Sequence, residues 1–382
     1  MTNHKSLAIV IPMLFAASNE VNALEIFNKH GNKLEVYGSI NPNHELSHDF
    51  LSTKITSQND HTNAIVGLSG KMNITDELFS YATIEYGIDF SQPEALLNAQ
   101  QPNTIRLGYA GFKYGDWGSI DYGRNYGIFH DVQSLTNHMP YINNNSVFSY
   151  NDNYMLGRNN SLLTYRNDNL FGLVDGVSFA LQYQEQSKDR IEHQQNGTGW
   201  GASLKYKSDV GLTAIGSCFS SEKSVFNKIN QDDQLSSVGA YGLGFKYDAN
   251  DIYIAAFYGE GRNLTPTFNF ITQNSLPNNG QPSYINKTQN IEAFAEYNFH
   301  SGFHPSLSYL DSKGQNSNIK GSSSNQDLEL AKQINISTRY EFNKNISTYM
   351  NYKINLLKNT SLNPTNNISN NNTIGAGIVY HF

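Results

Sequence analysis

The sequence has 382 residues, a formal net charge of -7 and a single cysteine, Cys218. An acidic chain without a basic stripe argues against nucleic acid as a partner. One cysteine excludes an internal disulfide and a cysteine-bound zinc site. The hydrophobic fraction of 38% is low for a helical membrane protein, and 24 Tyr, 21 Phe and 30 Gly are spread through short alternating segments. This composition is typical of an exported, sheet-rich chain, and a single barrel can account for the whole length of the sequence.

The N-terminus carries the pattern of a cleavable export signal. Lys5 precedes an apolar run over residues 6–17, and Ala23 provides the small residue that a signal peptidase requires. A transmembrane anchor needs roughly 20 apolar residues, and this run is shorter. We therefore expect residues 1–23 to be a signal peptide and residues 24–382 to be the mature chain.

Beyond the signal, apolar and polar residues alternate in many short segments, as in antiparallel strands that face two different solvents. The predicted strands comprise residues 34–40, 64–72, 78–90, the two stretches flanking 115–118, and then 154–166, 173–184, 200–207, 210–219, 237–247, 251–258, 291–299, 303–310, 334–342, 346–354 and 374–382. About 16 strands suffice to close a barrel around an aqueous channel.

The segment 105–141 contains the features that separate the two possible architectures of these strands. Gly115 and Gly118 allow the positive backbone angles of a tight hairpin. Before this turn, alternation predicts Ile105 and Leu107 on one face and Arg106 on the other. A soluble sandwich would cover the apolar face with a second sheet, whereas a membrane barrel would expose it to lipid and turn the arginine to a wet lumen.

The connections between the predicted strands decide between these two architectures. Turns of two to four residues alternate with long polar loops such as residues 260–289 and 311–327. Short turns at one rim and long loops at the other are typical of an outer-membrane barrel. The last strand must then pair with the first, because an open edge in hydrocarbon leaves backbone groups unsatisfied.

Several blocks, at residues 119–127, 165–176, 246–253 and 342–349, resemble the general trimeric porins of enterobacterial outer membranes, of the porin F and C type. Residues 25–33 resemble the mature N-terminus of that family, and Phe382 is similar to its terminal assembly signal. The resemblance implies an all-β fold, a 16-stranded antiparallel transmembrane barrel whose third loop, residues 127–153, folds inward. It also implies an outer-membrane homotrimer, assembled by the outer-membrane machinery among its lipids, that passes small hydrophilic solutes and ions passively without a cofactor.

The same resemblance places the pore constriction at Arg106, Arg158, Ser39, Ile65, Glu85, Asn137 and Tyr141. Arg106 and Arg158 match wall arginines, while Ser39 and Ile65 replace two further cations. Asn137 and Tyr141 replace both loop acids of the family pattern. We therefore expect weak ion selectivity leaning to anions, because the facing carboxylates are lost.

Alternatives to this expectation remain open. Glu85, Asp131 or Asp152 could restore the charge balance, since lumen residues of many kinds tune selectivity.

Two further pairs of residues stand out. The resemblance implies that Glu94 in the second long loop reaches Arg124 of a neighbouring subunit, although a solvated glutamate is as plausible. His130 and His138 lie in the third loop and are candidates for titration near neutrality. Plain hydrogen-bonding roles are the more common alternative for such histidines.

Three other functions are compatible with a barrel. An outer-membrane enzyme needs a serine or aspartate held beside a histidine, and no predicted strand combines these on one lumen face, so we expect no catalytic residues. A surface binding or adhesion protein would use the long loop over residues 260–289. A solute-selective channel would need an aromatic track, to which Tyr141 contributes one ring.

Overall fold

The computed structural model describes residues 23–48, 55–91, 104–139, 146–148, 153–187, 190, 195–223, 237–266, 284–315, 328–357 and 372–382. Within these ranges no helix is long and apolar enough to cross a bilayer. The predicted signal peptide and its cleavage site lie almost entirely outside the described residues.

Within the described ranges, nineteen strand segments form a single antiparallel sheet. They are β1 (Leu24–Lys29), β2 (Asn32–Asn41), β3 (Asn43–His48), β4 (Ile55–Asp60), β5 (Asn63–Asn73), β6 (Leu78–Asp89), β7 (Thr104–Tyr114), β8 (Gly118–Tyr126), β9 (Arg158–Asn167), β10 (Val177–Gln184), β11 (Gly199–Lys207), β12 (Leu212–Glu222), β13 (Ser237–Ala249), β14 (Ile252–Pro266), β15 (Tyr284–Tyr297), β16 (Phe303–Gln315), β17 (Leu328–Asn343), β18 (Ile346–Asn355) and β19 (Asn372–His381). The helical elements are α1 (His130–Gln133), α2 (Asn169–Gly172) and the 3₁₀ turns Gly115–Trp117 and Ser134–Thr136.

The sheet closes on itself as a 16-stranded barrel, as predicted. Segments β2 and β3 are halves of one barrel strand, β4 and β5 are halves of the next, and β1 extends the line of β19 along β2. The two chain ends meet there, because Phe382 and Gly38 exchange two backbone hydrogen bonds of 3.0 Å. Closure leaves no unpaired edge in the hydrocarbon.

The two faces of the barrel wall meet different solvents. Large apolar side chains such as Ile84, Leu243 and Leu307 point outward and are more than half exposed. The opposite registers of the same strands carry polar residues such as Thr83 and Ser306, which are buried. This apolar-out, polar-in alternation suits a barrel that sits in lipid and encloses water.

The strand limits differ from the sequence prediction in several places. The strand predicted from residue 154 begins at Arg158, because residues 153–157 still belong to the returning third loop. The strand predicted from residue 173 begins at Val177, because Leu170 and Phe171 adopt positive φ in a turn. Strands β14 and β16 run further toward the long loops than predicted, and β1, β3 and β4 were not predicted.

A β-bulge at Arg106 makes the predicted face assignment in β7 wrong. Tyr86 pairs with Ile105 and Glu85 pairs with Leu107, which leaves Arg106 as the extra residue. Such a bulge reverses the parity of the strand on its two sides. Ile105 therefore faces outward and is 60% exposed, whereas Leu107 is only 6% exposed.

Candidate functional site

The third loop enters the barrel after β8 and packs on its inner wall. Ile128, Phe129 and Val132 are completely buried in an apolar cluster that the loop shares with the wall. The ring centroid of Phe129 lies 6.1 Å from that of Phe219 on β12 and 5.9 Å from that of Phe257 on β14. The inward-folded third loop is thus confirmed, and apolar packing holds it in place.

Glycines in the inward register of the wall make room for this loop. A Cβ atom at Gly242 would lie 3.1 Å from the Phe129 ring and 2.9 Å from the Phe257 ring. A Cβ atom at Gly244 would lie 2.7 Å from Leu135 on the loop. Strand β13 can therefore pair normally while the loop approaches its backbone closely.

An ion pair fixes the first turn of the loop. Arg166 on β9 donates from both terminal nitrogens to the Asp131 carboxylate, at 2.8 and 3.0 Å, and the Ser203 hydroxyl donates to it at 2.7 Å. Burial would raise the pKa of Asp131, but the Arg166 guanidinium outweighs burial and holds the pKa below its usual value. Bidentate, charge-assisted bonds of this kind are the strong ones in proteins. Sequence reasoning missed Arg166 as a site residue, because only the strand register brings it to the loop.

Further hydrogen bonds tie the loop to three more strands. The Gln182 side chain on β10 accepts from the Ile128 N–H at 2.8 Å and donates to the Tyr126 carbonyl at 3.0 Å. The Tyr253 hydroxyl on β14 donates to the Leu135 carbonyl at 2.8 Å. Farther along, the Thr136 hydroxyl donates to Glu292 on β15. With the Ser306 hydroxyl on β16 donating to Met139 Sδ at 3.5 Å, the loop is bonded to one side of the barrel from β9 to β16.

The predicted wall residues of the constriction lie on the other side of the barrel. Ser39 on β2 and Ile65 on β5 are directly paired in the sheet. Glu85 accepts from Arg106 Nε at 2.5 Å and from the Tyr37 hydroxyl at 3.1 Å. Arg106 therefore does not face the lumen as an isolated cation, because a buried carboxylate on the neighbouring strand neutralises it.

Arg158 is placed differently from Arg106. Its guanidinium carbon lies 5.9 Å from the centre of the Tyr126 ring, which stacks on His130 at 4.2 Å. No carboxylate among the described residues forms a salt bridge with it. Arg158 thus contributes a positive charge at the root of the third loop.

On the loop itself, Asn137 is exposed and lines a crevice with Glu292 and Asn335 of the wall. Tyr141, which the resemblance places at the second acidic position of the family pattern, lies outside the described residues, as do Glu94 and Asp152.

Both loop histidines have strongly lowered pKa values. Burial lowers the pKa of His130 to about 4, and burial lowers the pKa of His138 to about 4 as well. His138 packs 4.0 Å from the Tyr253 ring, measured between centroids. Titration of these histidines near neutrality is therefore not supported, since both are neutral there.

Arg124 lies on the outer surface of the wall. Its Nε donates to the Ile105 carbonyl at 2.8 Å and a terminal nitrogen donates to Asn160 Oδ1 at 2.6 Å. Ile105 and Asn160 are themselves exposed on this outer face. The position is compatible with a contact to a neighbouring subunit.

Comparisons with known proteins agree with this geometry. The family model described as Gram-negative porin matches residues 29–382. A porin-like protein of Buchnera aphidicola is 74% identical over 100% of both chains, and outer membrane protein F of Serratia marcescens is 41% identical over 100% of both chains. Among solved structures, Salmonella typhi OmpF in complex with daunomycin superposes with a TM-score of 0.83, at 36% identity over 94% of this chain and 100% of that chain.

Proposed function

This chain belongs to the Gram-negative porin family, and we propose that it works as a general diffusion pore in which residues 127–153 form the constriction. The family places it in the outer membrane, and family membership points to a channel rather than an enzyme. The solutes are small hydrophilic molecules and ions that cross a water-filled lumen down their gradients, without a cofactor.

One observation carries the proposal. The described part of the third loop packs on β9 to β16, whereas Ser39, Ile65, Glu85 and Arg106 stand on β2 and β5 to β7. No hydrogen bond or ion pair joins the described loop residues to those four positions. The space between the loop and this opposite wall is the aperture through which solutes pass. Refolded protein in planar bilayers should show single-channel conductance, and vesicles that contain it should swell in solutions of small sugars. Vesicles that do not swell would contradict the proposal.

We further propose weak ion selectivity that leans to anions. Two of the lumen arginines, Arg106 and Arg166, form ion pairs with Glu85 and Asp131. At these two positions the lumen charge is balanced, which is the alternative that the sequence left open. Arg158 has no such partner among the described residues, and Asn137 carries no charge to oppose it.

The size of this effect follows from Coulomb's law. A unit charge about 8 Å from a permeating ion in water changes its energy by about 0.5 kcal/mol, or about twofold in permeability. A reversal potential under a salt gradient should show anion preference of that order. Arg158→Gln should shift it toward cations and Asn137→Asp should do the same, whereas Arg124→Gln on the outer surface should not. A clear cation preference of the unchanged protein would contradict the proposal.

Export and assembly follow the same proposal. Removal of residues 1–23 would place the new amino terminus at Leu24, where β1 begins, next to the chain end at Phe382. Phe382 would serve as the assembly signal, and Glu94 would contact Arg124 of the partner subunit in a homotrimer. Intact mass of the exported protein tests the cleavage, and the molar mass of the detergent-solubilised oligomer, with Arg124→Gln beside it, tests the trimer.

A further inference from the structure

Three lysines lie close together on the inner wall of the barrel, near its short-turn rim. They are Lys33 on β2, Lys71 on β5 and Lys113 on β7. Lys33 and Lys71 are direct partners in the sheet, in the register that also turns the buried Tyr37 and Ser69 inward. Like charges directly opposite each other on one face of a sheet are destabilising. This local cost marks the lysine cluster as a candidate binding site, because proteins accept such conflicts mainly where function requires them.

The ring of Phe79 on β6 lies between two of these lysines. Lys71 Nζ lies 4.0 Å from the centre of the ring, and Phe79 is the direct sheet partner of Lys113. A cation over an aromatic face is attracted by the ring quadrupole. The ring therefore fixes the Lys71 ammonium group without neutralising its charge, as a carboxylate would.

The acids of this part of the wall have other partners. Glu25 and Glu35 bridge Lys33, at 3.4 and 4.0 Å. The carboxylate of Asp121 on β8 accepts from the Tyr81 hydroxyl at 3.0 Å. No carboxylate in the part of the chain that the structure describes forms a salt bridge with either of the other two lysines. Two positive charges thus remain available to a solute in the lumen.

The wall across the short-turn mouth carries the opposite charge. Glu296 on β15 and Glu341 on β17 share Arg339, with an N–O distance of 3.4 Å in both ion pairs. At pH 8, where the adjacent His304 is neutral, two carboxylates and one guanidinium leave a net negative charge there. An anion in the mouth is therefore repelled from this wall and attracted to the lysine cluster.

We propose that Lys71 and Lys113 form a subsite for small dianionic solutes of the phosphate monoester class. A phosphate head carries about 1.5 to 2 negative charges and can accept charge-assisted hydrogen bonds from two ammonium groups at once. Short turns lie on the periplasmic side of an outer-membrane barrel, so the subsite is at the inner mouth of the channel. The inference rests on the proposed diffusion pore, because the solute reaches the lysines through its water-filled lumen.

A titration of single-channel chloride current with glycerol 3-phosphate tests the subsite, on refolded mature protein in planar bilayers at pH 8 and about 0.1 M salt. The current should fall and saturate as the dianion occupies the lysines. Two unit charges about 6 Å apart in water at this salt concentration change affinity about twofold. Two lysines and two anionic charges make four such pairs, so Lys71→Gln/Lys113→Gln should raise the half-blocking concentration about 15-fold, against about fourfold for the monoanion acetate.

The matched control is Lys205→Gln/Lys246→Gln, which removes two lysines near the same rim on β11 and β13, where Asp248 bridges Lys246 at 3.1 Å. It should leave the half-blocking concentration almost unchanged, and chloride conductance confirms that every variant folds. An equal loss in this control, or an equal change for acetate and glycerol 3-phosphate, would overturn the proposal. A chloride conductance that glycerol 3-phosphate does not lower would overturn the subsite alone, whereas absence of conductance in the unchanged protein would overturn the pore and the subsite together.

Discussion

Asp131→Asn is the sharpest perturbation of the third loop, because it removes one charge from the ion pair that fixes this loop. Breaking one partner of a buried pair costs about 3–5 kcal/mol. The Arg166 side chain is 25% exposed, so water partly solvates the orphaned guanidinium, and we expect about 2 kcal/mol. Ile128, Phe129 and Val132 are fully buried and contribute about 1.5–3 kcal/mol each. The loop should therefore stay docked most of the time, while its undocked population rises about 30-fold.

Single-channel recording measures this population directly. Asp131→Asn should add brief excursions to a different conductance level, with the barrel and its thermal unfolding unchanged. The control is Asp248→Asn, which makes the same chemical change in the ion pair between Asp248 and Lys246. The Asp248 side chain is 47% exposed, and an exposed pair contributes only about 0–1 kcal/mol to stability. Adding Arg166→Gln to Asp131→Asn should recover part of the effect, because removing both partners is less costly than orphaning one. If Asp131→Asn and Asp248→Asn gave the same records, the anchoring role of Asp131 would be refuted.

Three more predictions concern the loop and the wall. The pKa values of His130 and His138, about 4 when docked and about 6.5 when free, mean that the undocked loop binds more protons. Conductance should therefore be constant above pH 6.5. Between pH 6.5 and 4, the free energy of loop docking should fall by up to about 1.4 kcal/mol per histidine for each pH unit. A histidine-dependent change in conductance between pH 8 and 6.5 would contradict this. Gly242→Val should overpack the cluster by about 1–3 kcal/mol and alter conductance, whereas Gly216→Val, whose Cβ would meet an outward leucine, should not. Cys218 is exposed on the outer face, so in bilayers an apolar maleimide should label it and a charged thiosulfonate should not.

Hydrophobic periodicity was enough to predict the barrel itself. Most strands of the structure overlap a predicted segment, because each lies between lipid and water and so alternates strictly along its length. The predicted closure of the last strand on the first is confirmed by the pairing of β19 with β2 and β3. The turn at residues 115–118 also agrees, with positive φ at both glycines.

Register could not be predicted in the same way. A bulge adds one residue to a strand without any change in composition, so nothing in the sequence distinguished Arg106 from its neighbours. The pairing of Asp131 with Arg166 joins residues 35 positions apart and depends on how β9 is placed beside β8. A partial signal did exist for the loop, since Ile128, Val132 and Leu135 recur at helical spacing. The wall glycines in the inward register, such as Gly242, were the matching signal on the strands.

The one large apolar cluster of the described chain lies between the third loop and the inner wall, within a barrel that is otherwise polar inside. The strand ladder closes the barrel independently of that cluster, because its hydrogen bonds run between neighbouring strands and not through the lumen. The loop's attachment in turn depends on apolar packing and on Asp131, not on Asn137, which is exposed at the end of the second helical turn. Charges at the proposed aperture can therefore change without cost to folding or docking. On the predicted correspondence, that separation lets this chain carry Asn137 and Tyr141 at positions where the family pattern has acids without a change of fold, and it is why Asn137→Asp should alter selectivity while leaving the stability of the barrel unchanged.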